Sequence, residues 1–412
     1  MCAFLCDVVL HTTVFKHAFS TCICSCNVFA GDRISLPSKQ MFAALDVNGT
    51  GKVSSNYFTS FLKRDGLLPD DPRLSGLFEY LRAVDGIDND RSLNLREFDT
   101  AIASCRMLVY KCVTGRLKVP NFVQLSNEFS KVFAAVEPNE GGANADYIPQ
   151  LAQVDPNQFA ISITTVDGQH FSIGDAQKSF CIQSCSKPIS YLIGLNEFGA
   201  KYVHKHVGTE PSGRKFNEMT LKPRPTKEHP GRAVPHNPMI NAGAIMSVSM
   251  VYPKKKTREE RLRSVMDVWR RLSADVNASS IGYDDETYKS ESATADRNWC
   301  LGYMMKEKKA FPDCFTSLSE VLELYFQICS ITSTAKSMSV MAATLANGGL
   351  NPLTGERVFS ADHVRKCLPL MLTCGMYDYS GQWAFDVGIP AKSGLGGCVF
   401  SVIPNVCGIA VW

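Results

Sequence analysis

No stretch of this chain approaches the roughly 18 consecutive apolar residues that span a bilayer. Its apolar runs, such as residues 192–195, stop far short, so no membrane span is expected. An excess of one charge is also missing. The 43 Lys and Arg against 40 Asp and Glu leave a formal net charge of +3, which gives little hold on nucleic acid or an anionic membrane. Paired C-x-x-C knuckles are absent, so a structural zinc site is not expected despite 16 cysteines. His204 and His206 bracket Lys205 without Cys, Asp or Glu partners close by. They read as surface residues, and no metal is assigned. The first 30 residues hold one lysine and no arginine. They suit neither a secretory signal nor a mitochondrial presequence, and residues 1–35 read as a leader, disordered or foreign to the fold.

What remains is an ordinary globular mixture of 45% hydrophobic and 20% charged residues over 412 positions, enough for two or three domains. Eleven cysteines, Cys105, Cys112, Cys181, Cys185, Cys300, Cys314, Cys329, Cys367, Cys374, Cys398 and Cys407, lie singly in apolar or helical segments. Most read as reduced core thiols.

Residues 36–135 read as a small helical domain, with apolar residues at helical spacing in Phe58, Phe61, Leu62 and in Leu74, Leu77, Phe78, Leu81. Asp46–Val53 carries the oxygen ligands and central glycine of an EF-hand loop, but its twelfth position is Tyr57, not a bidentate glutamate. A second attempt at Asp85–Glu97 keeps Glu97 and puts Arg91 where the glycine belongs. A cation inside a calcium shell is costly, so an EF-hand-like domain that works without calcium is expected.

After a turn-rich joint at Pro138–Ala143 the pattern changes. Phe159–Val166 alternates like a strand, Asp167-Gly168 turns, and Phe171 and Ile173 return. A helix is expected from Ser184 to Gly199, and a long irregular loop across the four prolines between 223 and 235. Thr257 and Glu260 form a capping box for a helix burying Leu262, Val265, Met266 and Trp269. Another helix buries Leu318, Val321, Leu322, Tyr325 and Ile328. Lys392-Ser393-Gly394 leads to strands at Cys398–Ile403 and up to Trp412. Strands, then helices, then strands again predict an α+β domain with one antiparallel sheet covered by helices.

Ser184-Cys185-Ser186-Lys187 is an S-x-x-K motif. Its spacing puts the amine within reach of the hydroxyl, and a serine needs such a base to become a nucleophile. Alone the motif is weak. Lys392-Ser393-Gly394 is the second signature of serine β-lactamases and penicillin-binding proteins, and the two together point to that fold.

The blocks Ala145–Leu151, Gln183–Pro188, His236–Ala244, Asp296–Asn298, Met341–Gly349 and Cys374–Asp378 resemble the glutaminases across residues 136–412. The helical domain in front makes the chain similar to the phosphate-activated kidney- and liver-type animal enzymes. The resemblance implies a β-lactamase-like catalytic domain that hydrolyses L-glutamine to L-glutamate and ammonia without a cofactor. Ser184 would be the nucleophile, Lys187 its base, and Tyr377 would assist proton transfer to ammonia. The N–H groups of Ser184 and of Leu395, where the family usually has valine, would form the oxyanion hole. Glu291 would hold the α-ammonium, with Asn241, Asn298, Tyr147 and Tyr325 around the carboxylate and amide. It further implies inorganic phosphate as activator, with a homo-oligomer as the working form (dimer, tetramer or filament). Lys254–Arg271 supplies a basic stretch. A mitochondrial address is implied, with a cytoplasmic one open. Two other readings are a β-lactam- or peptide-processing acyltransferase, and a catalytically impaired regulatory subunit of a glutaminase assembly. The resemblance also implies a terminal helix beyond Trp412, so the catalytic domain is expected to be incomplete and to expose Val399, Val402 or their neighbours.

Overall fold

The structure is a computed structural model describing residues 34–85, 91–213, 218–255, 257–275 and 277–412. The expected leader at 1–35 lies almost entirely outside the described residues, as does part of the second loop. The described chain divides into two units. One comprises residues 34–132 with 167–171, the other residues 133–166 and 172–412.

In the first unit, Ser35 and Ser54 cap the helices Leu36–Leu45 and Ser55–Arg64 with side-chain oxygens on backbone N–H groups. Helices Ser75–Asp85, Leu95–Ala101 and Arg106–Val113 follow. Strands β1 (Val53–Ser54) and β2 (Ser92–Leu93) pair antiparallel, Val53 opposite Leu93. Among the described residues, each loop attempt holds internal contacts. Asp46 accepts hydrogen bonds from the Thr50 and Gly51 N–H groups at 2.9 and 2.7 Å. Glu97 pairs with Arg91 at 2.5 Å while capping its own helix with Asn94. Phe58 and Phe98, with ring centroids 5.2 Å apart, sit in the core of this unit.

The second unit is built on a five-stranded sheet in the order β10-β11-β12-β3-β4. Its strands are β3 (Ala160–Thr165), β4 (His170–Gly174), β10 (Ala391–Ser393), β11 (Val399–Ile403) and β12 (Cys407–Val411). The pairs β10/β11, β11/β12 and β12/β3 are antiparallel. A smaller sheet orders β5 (Phe180–Cys181), β9 (Ile331–Ser333) and β8 (Gly282–Tyr283). The alternation expected for 159–166 does not appear as one wet and one dry face, because all six β3 residues are buried. Helix Ala335–Ala346 lies against the sheet, and Ser339 Oγ meets Ser162 Oγ at 3.0 Å and Thr164 Oγ1 at 2.8 Å. The polar side chains of β3 thus face a polar partner.

The expected exposure near the end of the chain is wrong: Val399 and Val402 are 2% and 0% exposed. Residues three apart on a strand point to opposite faces, so the two valines could never have shared one uncovered face. Val402 belongs to the core that includes helix Ala335–Ala346, and Val399 pairs with the equally buried Val411.

Local signals otherwise read well. The Thr257–Glu260 capping box forms on helix Arg258–Ser273, whose Leu262, Val265 and Trp269 are buried, with Met266 partly buried against the same core. The five apolar residues foreseen on helix Leu318–Cys329 are all buried. Most of the eleven single cysteines are free and buried as expected, Cys300 being exposed and Cys314 half-buried. Two expectations need correction. His204 and His206 are half-buried, not superficial. The proline-rich loop is ordered: β6 (Lys222–Pro223) and β7 (Ala233–Val234) pair across it. Among the described residues, no helix is long and apolar enough to cross a membrane.

Candidate active site

Ser184 lies in a single 3-10 turn, Gln183–Ser186, and the α-helix proper runs from Lys187 to Phe198, ending on Gly199 in a positive-φ conformation. The helix therefore begins three residues later than expected. The consequence is preserved, since side chains three apart are eclipsed in a 3-10 turn. The turn is held in place from outside. A Cβ on Gly394 would lie 2.6 Å from Ile182 O and 3.2 Å from Cys185 N, and one on Gly396 only 1.9 Å from Cys181 O. Only glycines let the turn after Lys392-Ser393 press its backbone against the backbone carrying Ser184. Leu395 sits between them, half-exposed.

Lys187 is 1% exposed. Its amine donates to Asn241 Oδ1 at 2.7 Å, and Asn241 Nδ2 donates to Asn298 Oδ1 at 3.2 Å. The amine thus bonds to a neutral amide and not directly to the serine. Burial without a counter-ion lowers its pKa to about 8, the direction expected when the charged form loses its solvent.

A second buried charge lies close by. Glu291, on helix Asp285–Ala293, is 8% exposed. Its carboxylate accepts from Gln183 Nε2 at 3.0 Å and from the Tyr147 hydroxyl. Burial raises its pKa, while those two donors pull it back down. Tyr325 is buried on helix Leu318–Cys329, and burial, then the neighbouring Cys329, Glu291, Tyr377 and Tyr147, push its hydroxyl well up. Burial likewise pushes the Cys329 thiol up to about 12.

Tyr377 closes the site from a third direction. Its ring centroid is 4.3 Å from Lys392 Nζ and 5.7 Å from Lys187 Nζ. Lys392 is fully buried, donating to Gly375 O at 2.9 Å and Ser393 O at 2.6 Å. Tyr377 and Gln183 both hold positive φ, 53° and 49°, a conformation side chains adopt only when the surroundings impose it.

All nine residues singled out in the sequence (Ser184, Lys187, Tyr377, Tyr147, Asn241, Glu291, Asn298, Tyr325 and Leu395) lie in this one unit. Direct contacts join Lys187, Asn241 and Asn298 in one chain, and Tyr147 and Glu291 in another. Sequence reading missed Gln183, whose amide bridges towards Glu291, and Cys329 beside Lys187. Neither has a local signal, since each owes its position to a neighbour far away in the chain. Among the described residues, no group of three or more His, Cys, Asp or Glu could hold a metal ion.

The sequence model of the glutaminase family matches residues 142–412, the whole stretch that holds this constellation. The chain belongs to the glutaminase family. An EF-hand domain model matches residues 38–120. The chain is 40% identical over 362 residues to the mitochondrial liver isoform of glutaminase from Mus musculus, covering 88% of this chain and 58% of that one. It is 41% identical over 369 residues to putative glutaminase 3 of Caenorhabditis elegans, 88% of this chain and 61% of that. The glutaminase of a Nostoc strain is 41% identical over 271 residues, 66% and 76%. Among solved structures, one titled probable glutaminase ybaS superposes with a TM-score of 0.63 at 31% identity, covering 70% of this chain and 89% of that one. Another, Mglu in its native form, gives 0.61 at 38%, covering 68% and 64%. This glutaminase-family chain thus spans 58% of the mouse relative's length and 61% of the nematode's. Its α+β architecture, with antiparallel sheets under helices and an EF-hand domain ahead, is the β-lactamase-like fold foreseen from the two motifs.

Proposed function

We propose that this chain hydrolyses the side-chain amide of L-glutamine to L-glutamate and ammonia, with Ser184 as nucleophile and no cofactor. The observation that carries the reading is Lys187, buried three residues after Ser184, held by a neutral amide, with its pKa down to about 8. Such an amine has a neutral fraction near physiological pH far larger than that of an ordinary lysine, and that form can accept a proton. Neutral Lys187 takes the Ser184 proton as Oγ bonds to the γ-carboxamide carbon. The N–H groups of Ser184 and Leu395 receive the resulting oxyanion. The C–N bond then breaks, with the proton returned to nitrogen through Lys187 and Tyr377, and ammonia leaves a γ-glutamyl ester on Ser184. A water attacks that ester, gives up a proton to the same pair and releases glutamate.

Substrate selection follows from charge. A zwitterionic amino acid needs one carboxylate for its ammonium, and Glu291 is the buried carboxylate here, with Tyr147 and Gln183 fixing it. Asn241, Asn298 and Tyr325 would supply neutral donors for the substrate's carboxylate and amide, which avoids burying an unmatched charge. Family membership supports the same reaction.

Release of ammonia and glutamate from glutamine, with and without inorganic phosphate, tests the reading. Wild-type turnover lost in Ser184→Ala is the expected result. A chain inert under both conditions would be a regulatory subunit of a glutaminase assembly instead. Phosphate activation through dimers that join into tetramers or filaments is part of this proposal. So is a mitochondrial address, suggested by the names of the mouse and rat relatives. Fractionation that finds the chain in the cytoplasm would overturn that address.

A further inference from the structure

The basic loop ahead of Asn241 plays no part in the chemistry above, yet its order is unusually complete. Across the β6/β7 hairpin, Arg224 N–H donates to Arg232 O at 2.8 Å, and His229 and Thr226 close the tip. Arg224 also donates to His204 O. Arg232 is 8% exposed, and its fork reaches two backbone carbonyls. Nε donates to Lys309 O at 3.1 Å and Nη2 to Lys205 O at 2.8 Å. His206 Nδ1, 3.2 Å from Nη2, donates to Ala310 O at 2.8 Å. One guanidinium therefore ties the hairpin to helix Ala200–His206 and to the turn at Lys309.

From that clasp the chain is pinned almost residue by residue to the site. Ala233 N–H donates to Lys308 O, Gly208 N–H to Pro235 O at 2.8 Å, and Glu210 N–H to His236 O at 3.1 Å. Asn237 donates to Glu210 O, and its Oδ1 receives the N–H groups of Met239 and Ile240. Asn241 then opens helix Asn241–Ser249 and meets the Lys187 amine. A second route joins the same elements: His204 Nε2 is 2.9 Å from the hydroxyl of Tyr191, which lies on the helix of Lys187.

We propose that Arg232 is a positioning residue for glutamine hydrolysis, clamping the strap 233–240 so that the Asn241 carboxamide holds the Lys187 amine in line with Ser184. The proposal rests on the catalytic reading given above. A neutral amine carries one lone pair and two hydrogens. Giving one hydrogen to a fixed acceptor restricts where the lone pair points, and an error of about 1 Å in such an alignment costs rate steeply. The same acceptor favours the ammonium form. Loosening it lets the lysine pKa fall, which moves the acid limb of kcat/KM to lower pH.

The test uses the full chain and glutamine, with Ser184→Ala, Arg232→Met, Arg232→Lys, Asn241→Ala and the Met/Ala double variant. Arg232→Met is expected to lower kcat about tenfold with KM within about twofold of wild type, and to shift the acid limb downwards. Arg232→Lys, which cannot reach both carbonyls with one fixed fork, should fall between. The double variant should be no worse than Asn241→Ala, since both lose one arrangement. A folded Arg232→Met with wild-type kcat and pH profile, or with a loss that adds fully to that of Asn241→Ala, overturns the proposal. If the methionine variant does not fold, wild-type behaviour of Arg232→Lys overturns it. Residual turnover in Ser184→Ala sinks the catalytic reading itself, whereas an inert Ser184→Ala beside a fully active Arg232→Met sinks the positioning role alone.

Discussion

At one end of the site Lys187 is buried against a neutral amide; at the other, Glu291 is buried against an amide and a phenol. Desolvation penalises both charges, and it moves each towards neutrality, the lysine downwards and the glutamate upwards. The partners make the difference. Glu291 receives two donors that stabilise its carboxylate and oppose the rise. Lys187 has one neutral acceptor and no anion, so its shift stands. The same burial yields a base in one place and a binding charge in the other, and the choice lies in how many hydrogen bonds favour the charged form.

That contrast can be broken experimentally. The largest effects belong to the nucleophile and its base. Ser184→Ala and Lys187→Ala should each remove all but a few per cent of turnover, and the double variant should lose no more, because the two act as one unit. In the wild type, kcat/KM should rise with pH through about 8 as Lys187 loses its proton. A profile flat across that range would assign the base elsewhere. Next comes Tyr377→Phe, which keeps the ring beside the Lys187 and Lys392 amines and removes only the hydroxyl. Turnover should drop by roughly 10²-fold, and a rise in KM alone would make Tyr377 a binding residue.

Glu291→Gln addresses the other end. It should raise KM by about 10- to 100-fold, the worth of a hydrogen bond to a charged group, and leave kcat less affected. Equal loss of kcat would end the comparison drawn here. The smallest expected effect is regulatory: phosphate should raise activity and sedimentation coefficient together, and an unchanged size with unchanged activity would rule out activation by assembly.

Much of this was legible because it is local. The capping box at Thr257 and Glu260, the stop at Gly199 and the strand of Lys392-Ser393 each depend on neighbours within a few residues. What failed depends on contacts between distant segments. Half-buried His204 could not be told from a surface histidine until Tyr191 lay beside it. The loop with four prolines became a hairpin because Arg224 and Arg232 anchor it elsewhere. Gln183 stands next to the nucleophile in sequence, yet its bond to Glu291 spans more than a hundred positions. Val399 and Val402 were misjudged for a simpler reason, the two-residue period of a strand. Beyond Ser184 and Lys187, which the S-x-x-K spacing singled out, the site residues came from family resemblance, as composition offers no reason to prefer Glu291 over other glutamates.

The order of the large sheet sets a timetable for folding. β12 lies between β11 and β3, with Ile409 opposite Ile163. β3 therefore cannot acquire that neighbour until residue 411 has been synthesised, and the intervening helices must wait or pack provisionally. Pairings so distant in sequence slow the search for the native topology and leave one edge of β3 without its neighbour meanwhile. Ala160–Thr165 is then the segment most in need of a chaperone during translation, and its backbone amides should be among the last to gain protection in pulse-labelled refolding.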